Sequence, residues 1–437
     1  MPRPPNWNSA IPGIIGRKWP RKWVCKGGGN ERIRGTSLED QNPFPRPLAG
    51  IKVLDFTHVQ SGPTCTAMVA DLGAEVIKVE PFAGDQFREP MEGANFFNFN
   101  RNKRGIALNL KAPEGKEIVL KLARAADVLV ENFLPGSMER LGLGYESVSR
   151  INPRIVYCSI SGFGQSGPFR DRPAYEPILQ AISGIIDSTG EPGRPPVRIR
   201  PAMIDYCTGA NAAFAIAAAL FGREKTGCGQ RIDVALLDVA LFAMAPYVTQ
   251  FLRKGELPER AGSAQPSGGA IQNFETRDGL INVVAGTDHM FKNFCRALNR
   301  EDLGGDPRYA TRKLRAEKRL EIAEILNRET RKYSSAQLEA KLLAADVACG
   351  SVRTIGDIVR EPHVQARGIL EEAEYPAVGK VVAVKTPLFL SGKAAPLRQR
   401  APLLGEHTGE VLKELGYSDA EIENLIRTGV AQQPASK

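Results

Sequence analysis

The feature that most constrains this chain is a repeated alternation of short apolar runs and helix-like segments, which begins at Ile51. The apolar run IKVLDFT is followed by the helical stretch TCTAMVADLG, closed by Gly73, and by a second apolar run, EVIKVE. A strand, a helix and a strand in succession indicate a βαβ unit. The alternation continues through EGKEIVLKLARAA, DVLVEN and RIVYCSIS. It predicts an α/β fold with a doubly wound, mostly parallel, Rossmann-like sheet.

The pattern of strand-like and helix-like segments changes after the middle of the chain. A long helical region from about Asp205 to Phe221 precedes the strand-like run QRIDVA and a further helical run, LLDVALFAMAPYVTQFLRKG. Glycine and proline are again frequent at 262–269. The segments after them predict a smaller α+β domain, with the strand LINVVA, the helix HMFKNFCRAL and the charged helices of 315–345. Periodicity leaves open whether the tail from Asp357 packs on this second domain or returns to the first.

The net charge of +9 is concentrated at one end of the chain. Residues 1–48 hold nine basic and three acidic residues, so this segment carries +6 and the remaining body only +3. The body is therefore not a basic nucleic-acid surface, and we expect no nucleic-acid partner. The first 47 residues, rich in proline and glycine and holding all three tryptophans, are predicted to be an extension outside the fold.

Cysteine and histidine usage argues against a metal centre and a disulfide framework. The seven cysteines form no CxxC pair, and no two of the four histidines are spaced to ligate a metal from one helical face. Apolar stretches stop short of a membrane span, as at Gly222-Arg223-Glu224, so we expect no transmembrane helix and no membrane partner. The expected location is the cytoplasm, or the mitochondrial matrix if the arginine-rich leader is a transit peptide.

A glycine-rich string, GFGQSG at Gly162–Gly167, matches the dinucleotide-binding pattern and follows a strand. A nicotinamide site needs a helix to open at this loop, but Pro168 and Pro173 follow, and no ribose-binding acid is correctly placed after it. The context therefore excludes a dinucleotide site here.

Two other segments are candidate ligand sites. The loop Thr57–Pro63 follows a strand at the edge where open α/β sheets bind ligands. The cluster Asn102-Lys103-Arg104, with Lys111, could neutralise phosphates, although charge runs are more often solvated surface.

Several long strings in a fixed order resemble one family, the class III CoA-transferases of the CaiB/BaiF type. They are PLAGIKVLDFTHVQSGP, DLGAEVIKVE, NRNKRGIALNLK, ADVLVENFLPGSMERLGLGY, GFGQSGP, KTGCGQRIDVALLD and APLLGEHTGEVLKELG, and the resemblance extends from Pro47 to Val430. The similarity includes formyl-CoA:oxalate and succinyl-CoA-dependent dicarboxylate CoA-transferases. It implies a large Rossmann-like domain, a small domain and a homodimer of two interlocked rings. The domains expected are 48–240, 241–350 as linker and small domain, and 351–437 as a segment returning to the large domain.

The resemblance assigns the nucleophile to Asp205 in PAMIDYCTGA. Chemistry agrees with that assignment, because a helix N-terminus favours an ionised carboxylate. Without the resemblance, an aspartate in this position would be interpreted as a helix cap. The implied reaction transfers CoA from an acyl-CoA to a carboxylic acid, with dicarboxylic acids as the expected class. It proceeds through aspartyl mixed anhydrides and an aspartyl-CoA thioester. It needs no metal and no permanently bound cofactor.

Further roles follow from the resemblance, residue by residue. Gln60 and Glu176 are the other predicted catalytic residues. The positions predicted to contact CoA are Gln60, Ser61, Leu108, Asn109, Leu110, Lys111, Asn132, Phe133, Leu134, Arg140, Arg172 and Tyr175. Acyl-CoA, a carboxylate and a second copy of the chain are the expected partners.

Two alternatives remain at this level, a 2-methylacyl-CoA racemase and a non-catalytic CoA-binding paralogue. Racemases similar to this chain have a histidine where Tyr175 stands, and a racemase needs two acid/base groups, so transferase is favoured. Formyl-CoA transferases have a longer glycine-rich loop where this chain has only Ser267-Gly268-Gly269, which weakens formyl-CoA and oxalate as substrates. Arg194, Arg198 and Arg200 are candidate ligands for a second substrate carboxylate.

Overall fold

A parallel-dominated sheet organises the large part of the molecule. The structure is a computed structural model that describes residues 44–89, 93–376 and 378–434. Most of the predicted N-terminal extension, up to residue 43, lies outside these ranges. The sheet has the order β14-β3-β2-β1-β4-β5-β6, and its six parallel strands are β1 (Lys52–Asp55), β2 (Glu75–Glu80), β3 (Lys103–Leu108), β4 (Val128–Glu131), β5 (Val156–Ser161) and β6 (Arg231–Ala235). The predicted doubly wound sheet is confirmed.

Helices cover both faces of this sheet because strand side chains alternate between the faces. In β1, Val53 packs into one apolar cluster and Leu54 into the other. The helices of this part are α1 (Ser61–Asp71), α2 (Ala94–Asn100), α3 (Pro113–Ala125), α4 (Ser137–Arg140), α5 (Tyr145–Ile151), α6 (Glu176–Ile182), α7 (Ile185–Ser188), α8 (Met203–Thr226), α9 (Leu236–Ala243) and α10 (Ala245–Lys254). Helices α3 and α5 pack on one face, and α1 and α8 on the other.

The second group of elements forms a small antiparallel sheet with its own core. Its strands are β7 (Ala270–Glu275), β8 (Leu280–Ala285) and β9 (Ala348–Ser351), in the order β7-β8-β9. Its helices are α11 (Asp288–Ala297), α12 (Glu301–Gly304), α13 (Arg312–Glu317), α14 (Arg319–Thr330) and α15 (Ser335–Ala344). A separate apolar cluster, with Phe274, Phe291 and Phe294 at its centre, joins these helices to the sheet.

The C-terminal tail returns to the large sheet. After α16 (Ile355–Ile358) and α17 (Pro362–Arg367) come two short hairpins, β10 (Leu370–Tyr375) with β11 (Gly379–Val384) and β12 (Phe389–Leu390) with β13 (Lys393–Ala394). Helices α18 (Thr408–Glu414) and α19 (Asp419–Arg427) then pack beside α3, and β14 (Ala431–Gln432) pairs antiparallel with β3.

Among the described residues, α8 is the one helix long and apolar enough to cross a membrane by composition. Half of its apolar window is buried within the protein, where it packs against α1 and the sheet. A core helix passes the same test, so this finding is weak evidence for a membrane span. Within the described part of the chain, no group of three potential metal-ligating side chains is close enough to hold an ion.

Candidate active site

The loop after β1 ends at the carboxyl edge of the sheet, where α1 begins. Gln60 directly precedes α1 and its carbonyl accepts a hydrogen bond from the Thr64 N–H at 2.8 Å. Gln60 and Ser61 are both buried. The loop is thus short and the start of the helix is fixed in place, so Ser61 projects from a rigid element.

Asp205 lies in the first turn of α8 and faces this loop. Burial, and then the charge of Glu176, raise the pKa of its partly buried carboxyl to about 7, against the nearby Ser61 hydroxyl, which lowers it. The structure therefore brings together three residues from distant parts of the chain, Ser61, Glu176 and Asp205. A carboxylate in a desolvated setting is a stronger nucleophile than one in water once it is ionised.

Glu176 is held by a neighbour on its own helix. It is the first residue of α6 and is buried, and its Oε1 accepts a hydrogen bond of 2.6 Å from the Gln180 side chain. The Gln180 amide also donates to the Ile199 carbonyl at 2.9 Å and accepts from the Ile199 N–H at 2.9 Å. Gln180 thereby joins Glu176 to the segment that leads into α8.

Close packing of α1 against α8 sets the distance between Ser61 and Asp205. A Cβ at Gly209 would lie 2.6 Å from the Ser61 carbonyl oxygen and 2.7 Å from the Thr64 Cβ. Glycine is therefore required where the two helices cross, one turn after Asp205.

A cavity of about 530 Å³ adjoins α8 and is lined by Tyr206, the residue after Asp205. Its walls come from α1, α2, α8 and the segment after β11, and they include Thr64, Arg101, Tyr206 and Lys385. Among the residues that the structure describes, the Thr64 hydroxyl and the Arg101 Nε have no hydrogen-bond partner although both are buried. Both atoms are almost inaccessible to solvent, so they are unsatisfied inside the protein and do not face the cavity.

Most of the predicted CoA-contacting positions lie on loops at the carboxyl edge of the sheet, but Ser61 begins α1, Leu108 ends β3 and Arg140 ends α4. Asn132 and Phe133 are adjacent to the β1 loop: the Asn132 amide bonds both the N–H and the carbonyl of His58, and the Phe133 ring lies 5.2 Å from the His58 ring. Leu134, Arg140 and Tyr175 are exposed, and the exposed Arg172 guanidinium lies over the Phe169 ring at 4.6 Å.

The positions after β3 are more internal. The Leu108 side chain is buried in the core, Leu110 packs against that core, and Asn109 binds the Gly429 carbonyl of the tail at 3.3 Å. Lys111 is exposed. Nothing in the structure tests the CoA contacts themselves, so these roles stay predictions.

The suggestion that Asn102-Lys103-Arg104 neutralises phosphates is wrong for Lys103. This lysine is fully buried and its Nζ binds Asp55 at 2.9 Å, so its charge is used inside the protein. Burial lowers the pKa of Lys103 to about 8, against the attraction of Asp55. Arg104 pairs with Glu410 and Glu414 of α18. The strand places the Lys103 side chain in the interior and the Arg104 side chain against the tail. A count of charges in the sequence reveals neither position.

The segment after GFGQSG contains no helix before α6, as the prolines predicted. Sequence reasoning missed Asp55, Lys78 and Asp85, whose side chains form hydrogen bonds with the backbone of the β1 loop. Asp55 and Lys78 were detectable as charged residues within otherwise apolar strands, as in EVIKVE, since charged side chains are rarely fully buried unless paired; Asp85 lies outside the strands and carries no such signal.

Comparisons with known proteins agree with this geometry. The family model of CoA-transferase family III matches residues 48–408. The chain is 38% identical to succinyl-CoA:glutarate CoA-transferase of Homo sapiens, over 93% of this chain and 95% of that protein. It is 36% identical to formyl-CoA:oxalate CoA-transferase of Escherichia coli O157:H7, over 86% and 97%. A CaiB/BaiF family protein from Brucella suis has a similar structure, with a TM-score of 0.76, 35% identity, and coverage of 85% of this chain and 100% of that one.

Proposed function

This chain belongs to CoA-transferase family III and is a CoA-transferase enzyme, and we propose that it transfers CoA between dicarboxylic acids through covalent intermediates on Asp205. The observation that carries the mechanism is the placement of Asp205 beside Ser61 at the start of α8, in a desolvated setting. The names of its relatives support the substrate class, because succinyl-CoA, glutarate and oxalate are dicarboxylic compounds.

The proposed reaction balances without any added reagent. The Asp205 carboxylate attacks the donor thioester carbonyl, which gives a mixed anhydride and releases CoA thiolate. The thiolate attacks the aspartyl carbonyl, so an aspartyl-CoA thioester forms and the donor acid leaves. The acceptor carboxylate then attacks this thioester carbonyl, again releasing CoA thiolate and leaving an anhydride. Attack of the thiolate on the acceptor carbonyl returns Asp205 and yields the new acyl-CoA.

The chain's own residues support these steps. The Ser61 hydroxyl beside Asp205 favours its ionised form, and the N-terminal end of α8 favours negative charge at the same place. Glu176 opposes that charge and so makes the carboxylate more reactive once it has formed. Anhydrides hydrolyse readily, so the site has to exclude water during turnover.

The cavity beside α8 is the proposed site of the second carboxylate of the substrate. Arg101 lines it, and this guanidinium is paired with Asp71 at 2.5 Å, so a cationic group lies in the cavity wall. The alternative ligands Arg194, Arg198 and Arg200 lie on an exposed segment before α8. Arg101→Lys keeps the charge beside Asp71 and removes the planar guanidinium from the cavity wall, so it should raise KM for glutarate more than KM for a monocarboxylate. An increase caused instead by Arg200→Ala would favour the exposed segment.

The proposed assembly is the interlocked homodimer implied by the family resemblance. Large apolar side chains are exposed on α8, α9 and α10, among them Phe214 at 74%, Phe242 at 78% and Leu252 at 77%. Exposed apolar patches of this kind mark interaction surfaces. Light scattering coupled to size exclusion should give a dimer, and a stable monomer would contradict this assembly. The cytoplasm, or the matrix with a cleaved leader, remains the proposed location.

The mechanism is tested by trapping the aspartyl thioester. The protein is incubated with succinyl-CoA, treated with hydroxylamine or borohydride, digested and analysed by mass spectrometry. We expect a hydroxamate or a reduced side chain on the peptide that contains Asp205, absent from Asp205→Ala and retained in Asp187→Ala. No adduct with any productive donor would sink the covalent mechanism, and exchange of an α-proton of a 2-methylacyl-CoA with solvent deuterium would instead favour a racemase.

A further inference from the structure

Side chains, rather than neighbouring backbone, hold the loop residues 57–59 that precede Gln60 and Ser61. The Thr57 N–H donates to Asp55 at 2.9 Å, and the His58 N–H and carbonyl both bond the Asn132 amide, at 2.9 and 2.8 Å. Asp55 and Asn132 come from the ends of the neighbouring strands β1 and β4. The loop conformation is therefore imposed by side chains from the sheet edge beneath it.

One buried ion pair, between Lys78 and Asp85, forms hydrogen bonds with the peptide groups on either side of His58. The Lys78 Nζ donates to the Thr57 carbonyl at 2.6 Å and to Asp85 at 2.9 Å, and Asp85 Oδ1 accepts from the Val59 N–H at 3.2 Å. Both side chains of the pair are almost completely buried. A buried charge is stable only when it is paired and hydrogen-bonded, so this pair has little freedom to move.

Asp85 is itself fixed in orientation. Its N–H donates to Glu80 at 2.9 Å, and its Oδ1 also accepts from the Phe87 N–H at 2.9 Å. Although burial raises the pKa of Asp85, the Lys78 charge and the two N–H donors lower it overall, so the carboxylate is ionised. Glu80 is held in turn by Arg88. The carboxylate therefore presents a fixed acceptor to Val59.

Val59 adopts a backbone conformation that its side chain disfavours. Five non-glycine residues in the described part of the chain have positive φ, and Val59, at +64°, is the β-branched one among them. A β-branched residue rarely occupies the left-handed region unless its surroundings impose it. Gln60 and Ser61 follow directly, so the peptide at Val59 sets the direction in which they face.

We infer that Asp85 is a positioning residue of the active site, which together with Lys78 holds Val59 in the left-handed conformation and so aims Gln60 and Ser61 at Asp205. The inference rests on the proposed function in one respect, the role of Asp205 as nucleophile. Asp85 acts through the loop backbone and does not touch the reacting groups.

The test is a set of three variants measured in CoA transfer from succinyl-CoA to glutarate. Asp85→Asn keeps the shape of the side chain and removes its charge, and Lys78 retains the nearby charge of Asp55. We expect kcat to fall about 10- to 100-fold, the loss typical of slight misplacement of reacting groups, with little change in KM for succinyl-CoA. The acid limb of the pH profile should move to higher pH, because the Ser61 hydroxyl, which lowers the pKa of Asp205, is no longer held beside it.

Rescue distinguishes positioning from a general structural role. Glycine occupies positive φ without a clamp, so Val59→Gly in the Asp85→Asn background should restore most of kcat and the original pH profile. Val59→Ala in the same background keeps a Cβ and should restore neither. Wild-type kcat in Asp85→Asn, or equal rescue by glycine and alanine, would overturn the inference.

A further measurement does not depend on the folding of Asp85→Asn. In the wild-type background, Val59→Gly should unfold at a higher temperature than Val59→Ala, because only alanine retains the unfavourable φ. The reverse order would remove the strain on which the clamp depends. Absence of a trapped Asp205 adduct in the wild type would contradict the proposed function, and this comparison of two Val59 variants would be unaffected by it.

Discussion

At the scale of single residues, Asp205 combines two opposing requirements. A nucleophile has to be ionised, yet burial and the neighbouring Glu176 raise the pKa of this carboxyl to about 7. The same desolvation makes the ionised form more reactive. Near neutral pH the free enzyme therefore holds Asp205 in both protonation states, and in the proposed mechanism turnover depends on the ionised fraction.

The pH dependence of activity follows from this balance. We expect kcat/KM to rise with pH through about 7, as Asp205 loses its proton. Glu176→Gln removes a negative charge beside Asp205 while leaving an acceptor for Gln180, so the pKa of Asp205 should fall and the acid limb should move to lower pH. The exposed Glu224→Gln is the matched control. If the acid limb of the pH profile stays at the same pH or moves to higher pH in Glu176→Gln, the charge of Glu176 does not raise the pKa of Asp205.

The same carboxyl should cost folding stability at high pH. Its pKa in the folded protein, about 7, lies above the ordinary aspartate value of 3.8, so its stabilising contribution is complete below pH 3.8 and is lost as pH rises through 7. Asp205→Asn cannot ionise and should raise the free energy of unfolding at about pH 8 by roughly 1–3 kcal/mol, with a smaller gain at about pH 5. Urea denaturation at both pH values measures it, with the exposed Asp171→Asn as the control. An equal gain at both would point to a cause other than ionisation.

At the scale of secondary-structure elements, the crossing of α1 and α8 fixes the site. Gly209 allows the Ser61 backbone to approach α8, and Thr64 packs at the same point. Neither helix alone carries the site, since Ser61 begins one and Asp205 lies in the first turn of the other. A small change in their separation therefore changes the chemistry.

Two glycines of α8 offer a direct test of that crossing. Gly209→Ala would place a Cβ 2.6 Å from the Ser61 carbonyl oxygen, so we expect a loss of about 1–3 kcal/mol in stability and a lower kcat. Gly222→Ala, on the same helix, would meet only the Gln230 amide at 3.5 Å. It should leave kcat unchanged and add up to about 1 kcal/mol, the usual helix gain of alanine over glycine. Similar effects of the two substitutions would show that the crossing is not tightly packed.

Element boundaries and charged strand residues limited what the sequence could predict at this scale. The helix expected from about Asp205 begins at Met203 and continues to Thr226, and the long run after QRIDVA is divided into α9 and α10. The sequence offers Lys103 as a cation that could neutralise phosphates, but strand β3, paired with β2, places it in the interior. Periodicity detects that an element exists more reliably than where its charges point.

At the scale of the whole molecule, the chain closes on itself. The tail contributes α18, α19 and β14 to the large sheet and its core, so residues more than 300 positions apart are neighbours: Arg104 Nη1 donates to Glu410 Oε1 at 2.8 Å. Sequence reasoning allowed two destinations for this tail. Its pairing with β3 is a long-range contact that no local pattern encodes.

The tail should therefore contribute to the stability of the large sheet. Leu412 of α18 is almost fully buried in the same cluster as residues of β1, β3 and β4. Leu412→Ala should lower the free energy of unfolding by about 2–5 kcal/mol, through lost burial and the cavity that it leaves. Leu343→Ala, at a side chain that is 57% exposed, should change it by less than about 1 kcal/mol. A neutral Leu412→Ala, measured by urea denaturation, would mean that the tail packs only loosely.

The sequence by itself determined the order of strands and helices, because side-chain periodicity is a local property of the chain. It also determined the family, and with it Asp205 as the candidate nucleophile. Only the tertiary structure decided that Ser61 and Glu176 lie beside Asp205, that Lys78 and Asp85 clamp the loop at Val59, and that Lys103 is buried. These properties depend on distances and on exclusion of water between residues far apart in the chain, and both arise only when the sheet and its helices pack together.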